Sequence, residues 1–131
     1  MEAADFGGTL RVVIAEEEPA LARALAHDLS RDMRIDVVGL AETARETADL
    51  VETLEPHAVV IELASRMGPE AIAAIRRLRQ RTRVIAFAPT AREAQDKPLA
   101  DAFVSRGLPP AELADAVFSA AMLALDLGAE Q

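Results

Sequence analysis

Five short runs of apolar, mostly β-branched residues recur along the chain, each followed by a stretch with helical spacing. The runs are Leu10-Arg-Val-Val-Ile-Ala15, Ile35-Asp-Val-Val-Gly-Leu40, Ala58-Val-Val-Ile-Glu-Leu63, Arg83-Val-Ile-Ala-Phe-Ala88 and Ala102-Phe-Val-Ser105. Each is short and bounded by Pro, Gly or charged residues, which predicts strands rather than helices. Between them, Pro19 opens a helix to about Ser30 that places Leu21, Leu25 and Leu29 on one face. Thr43-Ala-Arg-Glu46 is a capping box, and the helix behind it turns Ala44, Ala48 and Val51 inward and ends before Pro56. Gly68-Pro69 start a third helix with Ile72, Ile75 and Leu78 on one face. A second capping box, Thr90-Ala-Arg-Glu93, opens a fourth helix that Pro98 limits to barely two turns. Pro109-Pro110 open the last, carrying Leu113, Val117, Ala120, Ala121 and Ala124.

Strand and helix thus alternate five times, with no internal repeat and no low-complexity linker. Such alternation predicts an α/β fold, a parallel sheet with helices on both faces. One domain over residues 9–127 is expected, with tails at 1–8 and 128–131. The third strand is the focus. Its residues Ala58 to Ile61 have no polar side, so it is buried on both faces, yet it runs into Glu62. In open α/β sheets, ligands and chemistry gather at the carboxyl ends of the strands.

Composition narrows the function classes. The 131 residues are 51% hydrophobic but 3% aromatic, with no Trp or Tyr, so Ala, Leu and Val do the packing. Fourteen basic against 22 acidic side chains give a net charge of −8, which argues against nucleic acid as a partner of this segment. No Cys means no disulfide and no thiol chemistry. The acidic N-terminus lacks the apolar core of a signal peptide. The apolar stretch Leu113 to Leu127 contains Asp115 and Asp126 and is shorter than the roughly 20 residues of a membrane span. A soluble, cytoplasmic protein is expected.

Unusual side chains sit at three strand ends: Glu16-Glu17-Glu18 after the first, Glu62 on the third and Arg106 after the fifth. If the first and third strands are neighbours, three or four carboxylates crowd one crevice, where they raise one another's pKa or recruit a hard cation such as Mg²⁺. The plainer reading is a solvated acidic rim beside a helix N-terminus. His57 reads as an exposed residue after Pro56, with no partner at metal-ligand spacing, and Phe103 as core. Arg76, Arg77, Arg79, Arg81 and Arg83 form a basic run without an acid among them. It is either a solvated helix end or a docking patch for an acidic partner or a second copy.

The span from about Arg11 to Leu125 resembles the receiver domain of bacterial two-component response regulators, in particular receivers that precede a helix-turn-helix output domain in the NarL/FixJ class. The carrying segments are Arg11-Val-Val-Ile-Ala-Glu-Glu-Glu-Pro19, Asp36-Val-Val-Gly-Leu-Ala41, Pro56-His-Ala-Val-Val-Ile-Glu-Leu63 and Ala100-Asp-Ala-Phe-Val-Ser-Arg106, followed by Leu108-Pro-Pro-Ala-Glu-Leu113. The resemblance implies a flavodoxin-like, doubly wound five-stranded parallel sheet in the order 2-1-3-4-5, here with a shortened fourth helix. It also implies roles. Glu62 occupies the place of the phosphoacceptor Asp, and Glu16 and Glu17 that of the acidic pair that holds Mg²⁺. Ala88 stands where the family has a hydroxyl donor to the phosphoryl group, Phe103 where it has a switch aromatic, and Arg106 where it has a Lys. No position of the site keeps the family's commonest residue.

Phosphoryl transfer depends on positioning and charge stabilisation. The extra methylene of Glu62 moves its oxygen by roughly 1 Å, a misplacement that can cost about a hundredfold. Ala88 removes a preorganised donor, and Arg106 is a planar fork rather than a point charge. A pseudo-receiver is therefore expected: no enzyme and no cofactor, with Mg²⁺ doubtful. It would act through protein–protein contact on a partner or an output domain. Relatives dimerise through the fourth helix, fifth strand and last helix; Ala116, Ala120 and Ala124 would let a second helix approach there. The rivals are a genuine Mg²⁺-dependent phosphoacceptor and a flavodoxin-like ligand-binding module, against which the missing Gly-rich loop after the first strand argues.

Overall fold

A computed structural model describes residues 8–62, 65–78, 81–88 and 100–129. The second capping box with its short helix, Leu63, Arg79 and the outer residues of both tails lie outside the described residues. Five strands, β1 (Leu10–Ala15), β2 (Ile35–Ala41), β3 (Ala58–Glu62), β4 (Arg83–Ala88) and β5 (Ala102–Ser105), form one sheet in the order β2-β1-β3-β4-β5. Every adjacent pair is parallel. The described helices are α1 (Pro19–Ser30), α2 (Ala44–Leu54), α3 (Gly68–Leu78) and the last one, here α4 (Pro110–Ala129). The fold is thus the flavodoxin-like one that alternation and resemblance imply. α4 continues two residues into the expected tail.

Period-two alternation divides the core into two layers. Val12, Ile14, Val60, Ile85, Phe87 and Val104 point to one face, covered by Leu29 of α1 and Leu113, Val117 and Ala121 of α4. Val13, Ala15, Val59, Ile61, Val84 and Ala86 point to the other, covered by Val51 of α2 and Ile72 and Ile75 of α3. β3 lies at the centre and is buried throughout. Each of its fully buried Val and Ile side chains contributes about 1.5–3 kcal/mol.

Helix phases differ from expectation in detail. On α1 the core face is Ala22, Leu25, Ala26 and Leu29, which leaves Leu21 on the flank at 48% exposure. Thr47, not Ala48, is the buried position of α2; its Oγ1 donates to the Thr43 carbonyl at 2.8 Å, which removes the cost of burying a hydroxyl. Thr43 caps α2 as expected, its Oγ1 accepting from the Glu46 N–H at 3.0 Å, but the reciprocal bond of the box shifts one residue outward, Glu46 Oε1 accepting from the Glu42 N–H at 2.7 Å rather than from Thr43. The alanine stripe of α4 does not lie open for a second helix. Ala124 is buried, and Ala116 and Ala120 pack half-buried against the first core layer, because the helix turns this side toward the sheet.

The amino-terminal edge of the sheet is sealed by polar side chains. His57 is half-buried rather than exposed: its Nδ1 accepts the Arg11 N–H at 2.8 Å, and its own N–H donates to the Arg11 carbonyl at 3.0 Å. The Arg11 guanidinium donates to the Leu54 and Glu55 carbonyls at the end of α2, at 2.7 and 3.1 Å. Asp101 accepts the Val84 N–H at 2.7 Å and pairs with Arg76 (3.0 Å) and Arg83 (3.8 Å). Two members of the arginine run are therefore structural, while Arg77 and Arg81 stay exposed. Arg34 pairs with Asp32 and with Asp115 of α4 and lies 4.2 Å from the Phe118 ring, tying the start of β2 to the last helix. The Arg34 hydrogen bond holds the Asp32 carboxyl below its usual range.

Burial, with the charge of Arg11 beside it, holds the His57 imidazole below its ordinary value. The unfolded chain therefore takes up this proton first, and stability rises with pH in that window. The contribution of His57 is complete above its ordinary pKa of about 6.5 and is lost as pH falls toward the lowered one. Urea unfolding between about pH 5 and about pH 7.5 should show this rise in the wild type and a flatter profile in His57→Asn, whose amide oxygen still accepts the Arg11 N–H.

Candidate functional site

The site is built at the carboxyl edge of the sheet by register. β1 and β3 are neighbours, with Ala15 opposite Ile61, so Glu16 and Glu62 leave adjacent strand ends. β4 places Phe87 opposite Glu62, and β5 places Ser105 opposite Ala88, which delivers Arg106 one residue later. Alternation then decides which side chains meet. Glu16, Glu62, Phe87 and Arg106 all line one cleft of about 160 Å³ between α1 and α4. Ala88 ends its strand as expected. Phe103 packs half-buried against the other core layer, so it does not join this group.

Glu62 is buried and ion-paired to Arg106: the Nη1 of Arg106 meets Oε1 of Glu62, with side-chain exposures of 45% and 9%. Glu16 is also buried, at 7% exposure, and its Oε2 accepts the Glu18 N–H at 3.0 Å. Glu17 is exposed and is not among the lining residues, because successive residues leave the strand in opposite directions. Glu18 is the N-cap of α1 without a side-chain cap hydrogen bond, and Pro19 follows at the first helical position. The crowd of three or four carboxylates that adjacent strands would make is therefore absent. Among the described residues no group of three or more acids or histidines could hold a metal ion.

The resemblance implies Mg²⁺ at this edge, and the residues present do not fit it. A hard divalent ion needs several oxygens converging on one point. Here one carboxylate of the three is turned to solvent, a second is engaged by a backbone N–H, and the third faces a guanidinium. Arg106 already supplies the positive charge that an ion would bring.

Several lining residues were not expected at the site: Leu21, Leu25 and Leu113 were read as core positions of their helices and Phe87 as part of a strand, while Asp28 of α1 was not singled out. The signal for Phe87 was present, since it shares the parity of Ile85 and so the face of Val60 and Glu62. Leu21 and Asp28 carry none, because a cleft between two helices depends on their separation.

The chain is similar in fold to solved response-regulator receivers. The signal receiver domain of the response regulator NarL from Mycobacterium tuberculosis matches with a TM-score of 0.74 at 22% identity, over 87% of this chain and 97% of that one. A LuxR-family two-component response regulator from Aurantimonas sp. SI85-9A1 matches with a TM-score of 0.74 at 24% identity, over 87% and 86%. The response regulator domain of Thermotoga maritima CheB matches with a TM-score of 0.71 at 18% identity, over 89% and 96%. No protein-family model and no curated protein matches the sequence. At these identities the likeness establishes the fold. No described helix is long and apolar enough to cross a membrane.

The ion pair should reveal itself by coupling. Arg106→Met strands a buried carboxylate and should cost about 1–3 kcal/mol, below the usual figure for a broken buried pair because Arg106 is half-open to water. The double variant Glu62→Leu/Arg106→Met should recover much of that loss. Urea unfolding of the four proteins measures it, and a coupling energy below about 0.5 kcal/mol would mean the two side chains act independently.

Proposed function

We propose that this chain is a receiver-type regulatory domain that works without phosphorylation, through contact with a protein partner or an output domain rather than by catalysis. The observation that carries the reading is the ion pair between Glu62 and Arg106. In a phosphorylated receiver, the charge at the end of the third strand arrives with the phosphoryl group and is met by a basic side chain from the fifth. Here a longer acid reaches that basic partner unaided. The domain is held in one of its two states by its own side chains.

Three further features support this. Ala88 has no hydroxyl to follow a phosphoryl oxygen, so the usual coupling of site to surface has no donor. The acids at the end of β1 do not converge on an ion. Glu62 is buried and already engaged by the Arg106 guanidinium, an arrangement that opposes the free, in-line attack that phosphoryl transfer needs. The neighbours' descriptions as LuxR-family response regulators suggest the kind of output. A transcriptional output domain, or a second copy of the chain, is the partner we infer.

Incubation with Mg²⁺ and acetyl phosphate, followed by intact-mass measurement, should leave the mass unchanged. A phosphate on Glu62 or a neighbour would establish the genuine phosphoacceptor instead. Partner capture with the wild type and with Glu62→Ala tests the lock itself. Loss or exchange of partners is expected in the variant, and identical recoveries would mean that the domain is a passive scaffold.

A further inference from the structure

α2 and α3 lie side by side on one face of the sheet, and their exposed charges are sorted by sign. On α2 the exposed charged side chains are Glu46, Asp49 and Glu52 against Arg45. Around the end of α3 they are Arg77 and Arg81, with Leu78 beside them at 40% exposure. Asp49, Glu52, Arg77 and Arg81 belong to no ion pair among the described residues, whereas Arg76 and Arg83 are held by Asp101.

The two rows also stand at the same level. Both helices follow parallel strands, so both run back toward the amino-terminal edge of the sheet. The strands they lead into start in register, Ala58 of β3 opposite Arg83 of β4. α2 ends at Leu54 and α3 at Leu78, each just before its strand, which puts Glu52 and Arg77 in the last turns at one height. Asp49 lies about 4.5 Å above Glu52 along the helix axis.

From this sorted surface we infer that two copies of the chain pair through α2 and α3, about a two-fold axis that runs along the helices and between them. That axis preserves height and exchanges the helices. Asp49 and Glu52 of each copy then meet Arg77 and Arg81 of the other, and the exposed Leu78 gives the contact its apolar part. A two-fold across the helices would instead set the two acidic rows of α2 against each other. Glu46 and Glu70 share a level near the starts of the helices, so the helices splay there and the contact belongs to their carboxyl halves. An acidic partner of another kind would engage the arginines while α2 repelled it. The pairing gives the contact-based function proposed above a partner, and rests on that reading for its purpose. It uses neither Glu62 nor Arg106, whose cleft lies between helices of the other face, so a phosphate found on Glu62 would leave it standing.

Sedimentation equilibrium of the full chain over a micromolar to millimolar series tests it, with Asp49→Arg/Glu52→Arg and Arg77→Glu/Arg81→Glu as reversals of the two rows. A monomer–dimer equilibrium is expected at low salt, weakening as ionic strength rises. Each reversal should raise the dissociation constant about tenfold. An equimolar mixture of the two variants should recover the wild-type affinity, because every contact is again between opposite charges. Glu112→Arg, at an exposed acid of α4 on the other face of the sheet, should leave the equilibrium unchanged. A chain that stays monomeric throughout would overturn the inference. So would a dimer that either reversal leaves intact, since it would join through another face, or a mixture as weak as its components.

Discussion

A carboxylate buried at the end of the innermost strand has to be neutralised, and the chain meets that demand with a guanidinium delivered two strands away. β3 is flanked by β1 and β4 and covered on both faces, so Glu62 has little access to water. Ionised carboxylates are not held in such surroundings without a partner. The register β3-β4-β5 decides where the partner comes from. Glu62 lies opposite Phe87, the next residue of β4 lies opposite Ser105, and Arg106 follows. Glu62 and Arg106 are 44 residues apart in sequence, and the parallel ladder alone brings them together. The pair thus reports on the integrity of three strands at once.

The two edges of the sheet are built to different ends. At the amino-terminal edge, backbone donors and acceptors of β1, β3 and β4 are closed off by His57, Arg11, Thr82 and Asp101, each bonded to main-chain atoms of a distant segment. Bonds of that kind fix strand ends relative to one another. At the carboxyl edge the main-chain ties of Glu16 and Ser65 are local, to the Glu18 N–H and the Glu62 carbonyl, and the long-range contact is the Glu62–Arg106 pair. One edge is tied across distant segments, and the other is joined across the sheet by a single ion pair among the described contacts. The same logic explains the arginine run, part of which is consumed by Asp101 at the amino-terminal edge.

What the sequence disclosed follows from the range of the forces involved. Strands are legible because β-branched runs bounded by Pro and Gly are local signals, and strand order followed from resemblance. Helix phase was less legible on α1, where Ala and Leu occupy neighbouring positions and a rotation by one residue changes the pattern little; Leu21 moved from core to flank on that account. Glu16 and Glu17 could not be ranked without knowing the parity of β1 against its neighbours. His57 was read as exposed because its partner, the Arg11 N–H, is 46 residues away. Asp28 had no local mark at all.

A closed ion pair also limits what can change the state of the domain. A signal shifts a two-state element only by its differential affinity for the two states. Any agent acting at this edge must therefore compete with Arg106 for Glu62, or with Glu62 for Arg106. Arg106 is the more open partner, with 45% of its side chain exposed against 9% for Glu62, so it is the member of the pair that a competitor in solvent can reach. A cation competing with Arg106 must instead reach a carboxylate that is 9% exposed and lies beside Val60 and Phe87, at a cost in desolvation.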